Sequence, residues 1–252
     1  MKNKIALITG ATSGIGKASA LTLARNGYSI IATGRRADRL EELGQELGAE
    51  TAFLPLVFDV RDREKVLEIL GDLPEDWKAI DVLINNAGNA HGMDPIQSGD
   101  LDDWDAMIDI NVKGLLYVSK AIIPGMCDRK SGTIINIGSI AGKEVYPNGN
   151  VYCGSKHAVD AITDGMRLDL NPFGIRVVGI HPGLVETEFS LVRFKGDESR
   201  SEKVYQGFEP LVAQDIADVV EFVVTRPAHV TIADVVVLPT AQASATVVKK
   251  DL

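Results

Sequence analysis

Apolar residues fall along the chain in short runs rich in β-branched side chains, separated by stretches of helical periodicity. Ile5–Thr9, Ser29–Thr33, Ala52–Phe58, Val82–Asn85, Thr133–Ile137, Arg176–Ile180 and Asp234–Leu238 read as strands. Several are apolar nearly throughout, as parallel strands covered on both faces must be. Between them Gly14–Asn26, Asp38–Leu47, Arg63–Leu70, Leu101–Arg129, Asn150–Asn171 and Ala213–Thr225 read as helices. Strand–helix alternation of this kind predicts an α/β fold built on a doubly wound, Rossmann-like parallel sheet. No linker, repeat or composition break divides it, so residues 1–252 are expected to form one domain. The irregular stretch is Glu186–Gly207, polar and charge-rich. It begins at the carboxyl edge of the sheet, where ligands of such folds bind.

Composition narrows the function. A formal net charge of −9 disfavours nucleic acid, which is held chiefly through basic groups on phosphates. No apolar run reaches the 18 or so residues of a membrane helix. Two cysteines, Cys127 and Cys153, make no disulfide framework and fit a reducing cytoplasm.

Candidate chemistry starts at the first strand. Thr9-Gly-Ala-Thr-Ser-Gly-Ile-Gly16 follows it directly and opens a helix. The spacing is G-x-x-x-G-x-G, yet the physics matches other dinucleotide turns: a tight bend, backbone close to a pyrophosphate, and a helix N-terminus facing negative charge. A P-loop is ruled out because the interval between Gly10 and Gly16 is one residue too long and Ala18 stands where Ser or Thr should be. Gly10, Thr12, Ser13, Gly14, Ile15 and Gly16 are therefore the candidate pyrophosphate cradle. The second strand ends Gly34-Arg35-Arg36, without the acid that grips the ribose hydroxyls of NAD. Two guanidiniums there suit a 2′-phosphate, so the cofactor expected is NADP. Asp38 reads as an N-terminal helix charge. Asp59-Val60 closes the third strand, where a carboxylate could bind the adenine amino group. Asn86, Ala87 and Gly88 close the fourth with residues small enough for a cofactor to approach.

Tyr152 and Lys156 lie one helical turn apart and share a face, and Ser139 follows the fifth strand at the same sheet edge. A free phenol titrates near 10, and lowering that by about three units takes roughly 4 kcal/mol. An ammonium at about 4 Å contributes about that much at an effective dielectric near 20. Lys156, helped by an oxidised nicotinamide, is thus expected to make Tyr152 a proton donor and acceptor, with Ser139 holding the substrate oxygen. Ser139 lacks the outer glycines of a nucleophile elbow and is not read as a hydrolase nucleophile.

Together Thr9–Gly16, Asn85–Gly88, Asn111, Ser139, Tyr152–Lys156 and Pro182-Gly183 make the chain resemble the short-chain dehydrogenases/reductases over nearly its whole length. The resemblance implies hydride transfer between NAD(P) and an alcohol/carbonyl pair. It implies that Asn111 joins Ser139, Tyr152 and Lys156, holding a proton-relay water near Lys156. It also implies cofactor contacts from Asp59, Asn86, Lys156 and the segment containing Pro182, Gly183, Val185 and Thr187. A homotetramer built through Leu101–Arg129 and Asn150–Asn171 is a further implication. One departure stands out: many NADP-preferring members carry a basic residue inside the glycine turn, where this chain has Thr12-Ser13, so NADP preference rests on Arg35 and Arg36.

Within that family Ile31–Arg36, Gly149–Tyr152, Pro182–Val185, Thr187–Ser190 and Val192–Asp197 resemble the NADP-dependent 3-hydroxy acid (serine/allo-threonine) dehydrogenases, and related sulfoacetaldehyde reductases share much of the pattern. A small acidic substrate needs a cation, and Arg193 is the candidate anchor, with Gln242 the weaker one. One guanidinium serves carboxylate and sulfonate alike. The alternative from another class is a non-catalytic NADP-binding regulator. His91 could approach substrate, whereas His157, set off from Tyr152 around the helix, and Cys153 read as packing residues. His181 and His229 lack metal-ligand spacing, so no metal is expected.

Overall fold

The computed structural model describes residues 4–251. Four β–α steps and a fifth strand open the described residues: β1 (Ile5–Thr9), α1 (Gly14–Arg25), β2 (Ser29–Gly34), α2 (Ala37–Leu47), β3 (Phe53–Val57), α3 (Arg63–Gly71), β4 (Ile80–Asn85), α4 (Leu101–Ile108), α5 (Leu115–Arg129) and β5 (Gly132–Ile137). The rest comprises α6 (Asn150–Leu170), β6 (Ile175–Pro182), β7 (Val185–Glu186), α7 (Phe189–Arg193), α8 (Glu198–Tyr205), β8 (Leu211–Val212), α9 (Ala213–Val224) and β9 (Asp234–Val237). Seven strands form one parallel sheet in the order β3-β2-β1-β4-β5-β6-β9, a doubly wound, Rossmann-like domain. The pleat sorts the core by alternation. Ala6, Ile8, Val82, Ile84, Ile135 and Val178 face a cluster completed by Leu23 of α1, Leu43 of α2 and Val220 of α9. Leu7, Leu83, Ile134 and Val177 face the opposite one, with Val66 of α3 and Val118, Ile122 and Met126 of α5. The inner strands β2, β1, β4, β5 and β6 are thus covered on both sides, which is why their sequences are apolar nearly throughout, while the edge strands β3 and β9 stay partly exposed. Among the described residues no helix is long and apolar enough to cross a membrane.

The strand order reverses between β1 and β4, and the chain seals that point with side chains. Thr9 Oγ1 accepts from the amides of Asn86 and Ala87, both at 3.0 Å, and Asn86 Nδ2 donates to the carbonyls of Thr9 (2.9 Å) and Gly10 (3.1 Å). This fixes the glycine turn against the end of β4, at the crevice where doubly wound folds bind ligands.

Two expectations from the sequence are corrected. The helix expected over Leu101–Arg129 is interrupted: Asp109–Gly114 forms a wider, π-helical turn between α4 and α5. The cause is tertiary, since the Val60 side chain packs so closely on Gly114 that a Cβ there would lie 2.7 Å from it. The polar insert is also more ordered than an irregular loop, because β7 pairs with β8 and α7 and α8 lie between them.

Candidate active site

A cleft of about 500 Å³ opens along the carboxyl edge of β1, β2, β4, β5 and β6. At its floor Gly10 (φ +65°) and Gly14 (φ +51°) take left-handed backbone conformations that suit glycine. A Cβ on Gly16 would lie 2.4 Å from the Gly10 carbonyl oxygen, so the turn closes as tightly as backbone allows. Ser13 caps α1 in extended conformation without a side-chain bond to the helix amides, leaving the first-turn N–H groups to the cleft. Thr12, Ser13 and Ile15 line it, as do Asn86, Ala87 and Gly88. A glycine cradle, an uncapped helix N-terminus and a volume of this order fit the phosphates of a dinucleotide.

The two arginines after β2 divide. Arg36 turns inward: Nη2 donates to the hydroxyls of Thr12 (3.1 Å) and Ser13 (3.0 Å), and Nη1 pairs with Glu188 at 2.9 Å. The charge missing from the glycine turn is thus delivered from β2. Arg35 is more exposed and lies 3.8 Å from Asp59. Asp59 is gripped by Arg61, whose Nη2 donates to it at 2.7 Å. Burial pushes the Asp59 carboxyl up, but the Arg61 bonds, with Arg35 behind them, outweigh it and hold it below the ordinary range. Arg61 was missed from sequence; its signal was a basic residue two places after a strand-terminal acid. Val60 lines the cleft and packs on Gly114 of the π-helical turn.

The Ser139, Tyr152 and Lys156 side chains meet at the other end of the cleft. Ser139 caps a short 3-10 turn, accepting from the Ala141 amide at 3.1 Å, and its hydroxyl acts on the Tyr152 phenol from the same end of the cleft. Lys156 Nζ donates to the Ile137 carbonyl at 3.0 Å. Burial pushes its ammonium down to about 8. The expected lowering of Tyr152 by Lys156 is not what this structure holds. Burial raises the Tyr152 phenol well above 10, the Tyr146 hydroxyl adds to the rise, and the Ser139 hydroxyl and Arg193 offset only part of it. Desolvation acts on both groups and outweighs the attraction between them.

Asn111 sits in the π-helical turn and clamps the backbone of Asn89 from both sides: its Oδ1 accepts from the Asn89 amide (2.9 Å) and its Nδ2 donates to the Asn89 carbonyl (2.8 Å). The same Nδ2 donates to Ser155 Oγ at 3.0 Å, and Ser155 donates to the Tyr152 carbonyl at 2.7 Å. Asn111 therefore joins the end of β4 to the helix that carries Tyr152 and Lys156. A Cβ on Gly88 would lie 2.8 Å from Asn111 Oδ1 and 3.5 Å from Lys156 Nζ, so a glycine keeps this corner open.

Pro182, Gly183, Val185 and Thr187 form the wall facing the glycine turn, with Thr187 packed over Gly14. Gln242 lines the cleft too, but its amide is engaged: Oε1 accepts from the Leu184 amide (2.9 Å) and Nε2 donates to Ser244 (3.1 Å). It braces the Pro182–Leu184 turn from the cleft wall. Arg193, at the end of α7, donates from Nε to the Gly92 carbonyl (3.2 Å) and from Nη1 to the Tyr146 hydroxyl (3.0 Å). Its guanidinium stands 5.6 Å from the centre of the Tyr152 ring, and Nη2 has no partner among the described residues. Tyr146, missed from sequence, is a lone aromatic ahead of α6 with no periodic signal. His91 lines an adjoining hollow together with Tyr152 and Arg193. His157 bonds to the Cys153 carbonyl at 2.9 Å. Asp160, His181 and Asp234 come within metal-ligand reach of one another, but the Lys143 ammonium already sits on both carboxylates, at 2.7 and 2.9 Å.

Residues 4–197 match the family model described as short chain dehydrogenase. The chain is 46% identical over 242 residues to the NADP-dependent 3-hydroxy acid dehydrogenase of Escherichia coli K12, covering 96% of this chain and 97% of the relative. It is 44% identical to a sulfoacetaldehyde reductase of Chromohalobacter salexigens, covering 98% of this chain and 99% of the other. The closed form of a serine dehydrogenase complexed with NADP+ superposes with a TM-score of 0.92 at 44% identity, over 98% of this chain and 100% of that one. Fold, cleft and these similarities agree: the chain belongs to the short-chain dehydrogenase family.

Proposed function

We propose that this NADP-dependent oxidoreductase interconverts the hydroxyl and carbonyl of a small 3-hydroxy acid of the serine, allo-threonine or 3-hydroxypropionate class. The observation that carries the reading is the Arg193 guanidinium, 5.6 Å from the ring of the tyrosine that shares the cleft with Ser139 and Lys156. A cation beside a proton-transfer group is what an acid with its reacting carbon next to its charged end requires.

Bound NADP(H) supplies the hydride or its acceptor. The chain's residues do the rest. The Ser139 hydroxyl and the Tyr152 phenol together hold the substrate oxygen. Burial keeps the Tyr152 proton in place, so the phenol is poised to donate it during carbonyl reduction. Removing a proton from a substrate hydroxyl requires the phenolate, which the Lys156 charge favours once it is drawn away from the Ile137 carbonyl. Asn111 positions Lys156 and Tyr152 through Asn89 and Ser155. Arg193 gives its unpartnered Nη2 to the substrate's anionic end.

Support for the 3-hydroxy acid class comes from the 3-hydroxy acid dehydrogenase and serine dehydrogenase relatives, and for a sulfonate substrate from the sulfoacetaldehyde reductase. Steady-state kinetics of Arg193→Ala separate this reading from a general alcohol dehydrogenase. A charge-assisted contact is worth about 1.5–3 kcal/mol, so kcat/KM for L-serine or 3-hydroxypropionate should fall roughly 10- to 100-fold. An uncharged alcohol of similar size should lose far less. Equal losses on both would remove Arg193 as the anchor.

The assembly proposed is a cytoplasmic homotetramer. Leu116 on α5 and Leu168 on α6 are exposed while Val118 and Val159 on the same helices are buried, so each helix carries an apolar residue outside the core. Light scattering at micromolar concentration is expected to give the mass of four chains; a monomer there would end the proposal.

A further inference from the structure

The segment from Thr187 to Arg193 bridges the two ends of the cleft, and it is pinned at both. At the far end Arg193 holds Gly92 and Tyr146, and the Gly92 amide returns a bond to the Arg193 carbonyl at 3.0 Å. At the near end Thr187 packs over Gly14, and Glu188, the residue that opens α7, holds Arg36. Arg36 is also the inward-turned cation of the glycine turn.

We propose that Glu188 is a cofactor-specificity residue, an internal competitor whose carboxylate occupies Arg36 in place of the cofactor's 2′-phosphate. The inference rests on Arg36 being the 2′-phosphate ligand. A carboxylate and a phosphate ask the same thing of a guanidinium, a planar pair of donors with a positive charge. Nη2 is spent on the uncharged hydroxyls of Thr12 and Ser13 and the Glu188 carboxylate sits on Nη1, so a phosphate that seeks a paired grip through Nη1 meets that carboxylate there. The pair with Glu188 is open to water, its side chains 41% and 42% exposed, and ion pairs this exposed are weak. A dianionic phosphate therefore displaces the carboxylate, and Glu188, left beside a like charge, is driven off. NAD lacks the phosphate and leaves the pair intact. The same exchange unpins the near end of α7 while Arg193 still holds the far end, so the segment over the substrate site senses which cofactor has bound.

Calorimetric titration of the whole protein with NADP+ and with NAD+ tests the inference without reference to turnover. Glu188→Gln keeps the shape and removes the charge. It should bind NADP+ about fivefold more tightly than wild type and NAD+ with unchanged affinity. Arg36→Ala should weaken NADP+ and leave NAD+ alone, and adding Glu188→Gln to it should bring little further gain. Unchanged or weaker NADP+ binding by Glu188→Gln overturns the competition, as does an equal gain in the Arg36→Ala background, which would be plain charge repulsion. Undiminished NADP+ binding by Arg36→Ala instead overturns the phosphate reading beneath it.

Discussion

Replacing Tyr152 with Phe should lower turnover by about three orders of magnitude while leaving the affinity for NADPH within a few-fold of wild type. The substitution takes away one oxygen. The ring keeps its place, 5.7 Å from the Phe189 ring and under the Arg193 guanidinium, so the cleft retains its shape. What disappears is the proton that the carbonyl oxygen must receive, and positioned general acids contribute about 10²–10⁴-fold. Ser139 alone can still orient a substrate oxygen but has no comparable means of releasing a proton to it. Absorbance at 340 nm under saturating substrate reads the first effect and calorimetric titration with NADPH the second. A variant retaining a tenth of wild-type turnover would take the proton-transfer role from Tyr152.

Lys156→Met should be as damaging to turnover and yet make the cofactor-free protein more stable at neutral pH. Burial lowers the ammonium from its ordinary 10.5 to about 8, which corresponds to about 3 kcal/mol against the folded state at 1.36 kcal/mol per tenfold. Below pH 8 both folded and unfolded chains carry the proton, and the fold bears that cost in full. Between 8 and 10.5 the unfolded chain binds more proton than the folded one, so wild-type stability rises with pH. Methionine fills similar space without a charge and forfeits one hydrogen bond to the Ile137 carbonyl, worth about 1 kcal/mol. The net gain at pH 7 is about 2 kcal/mol, or roughly 4–8 °C in a chain of this size. Thermal unfolding at pH 7 and pH 10 checks the sign, because the advantage of the variant must shrink as the wild-type lysine loses its proton. A variant less stable than wild type at pH 7 contradicts the account.

Much of this was legible in the chain because the responsible physics is local. A strand covered on both faces has to be apolar, and Ile5–Thr9 or Thr133–Ile137 can hardly read otherwise. The Gly10–Gly16 spacing follows from the closeness of backbone to backbone, and the turn between Tyr152 and Lys156 from helix geometry. What escaped depends on residues far apart in sequence. Nothing within Asp109–Gly114 forbids an ordinary helix; Val60 and Asn89, from other loops, select the wider turn. Arg61 and Tyr146 acquire meaning only when Asp59 and Arg193 are brought to them. The protonation of Tyr152 went astray for the same reason, since burial is a property of the whole fold.

The wide turn over Asp109–Gly114 decides what a deletion in this stretch would cost. Such a turn holds about one residue more than an α-helical turn, so deleting one residue there would let the chain run as a continuous helix with the faces on either side still nearly in register. Val118, Ile122 and Met126 would keep facing the core. Asn111 would lose its grip on Asn89 at the same stroke. The penalty for straightening the helix therefore falls on the corner that Asn111 builds between Asn89 and Ser155, while the packing beneath it could survive the change.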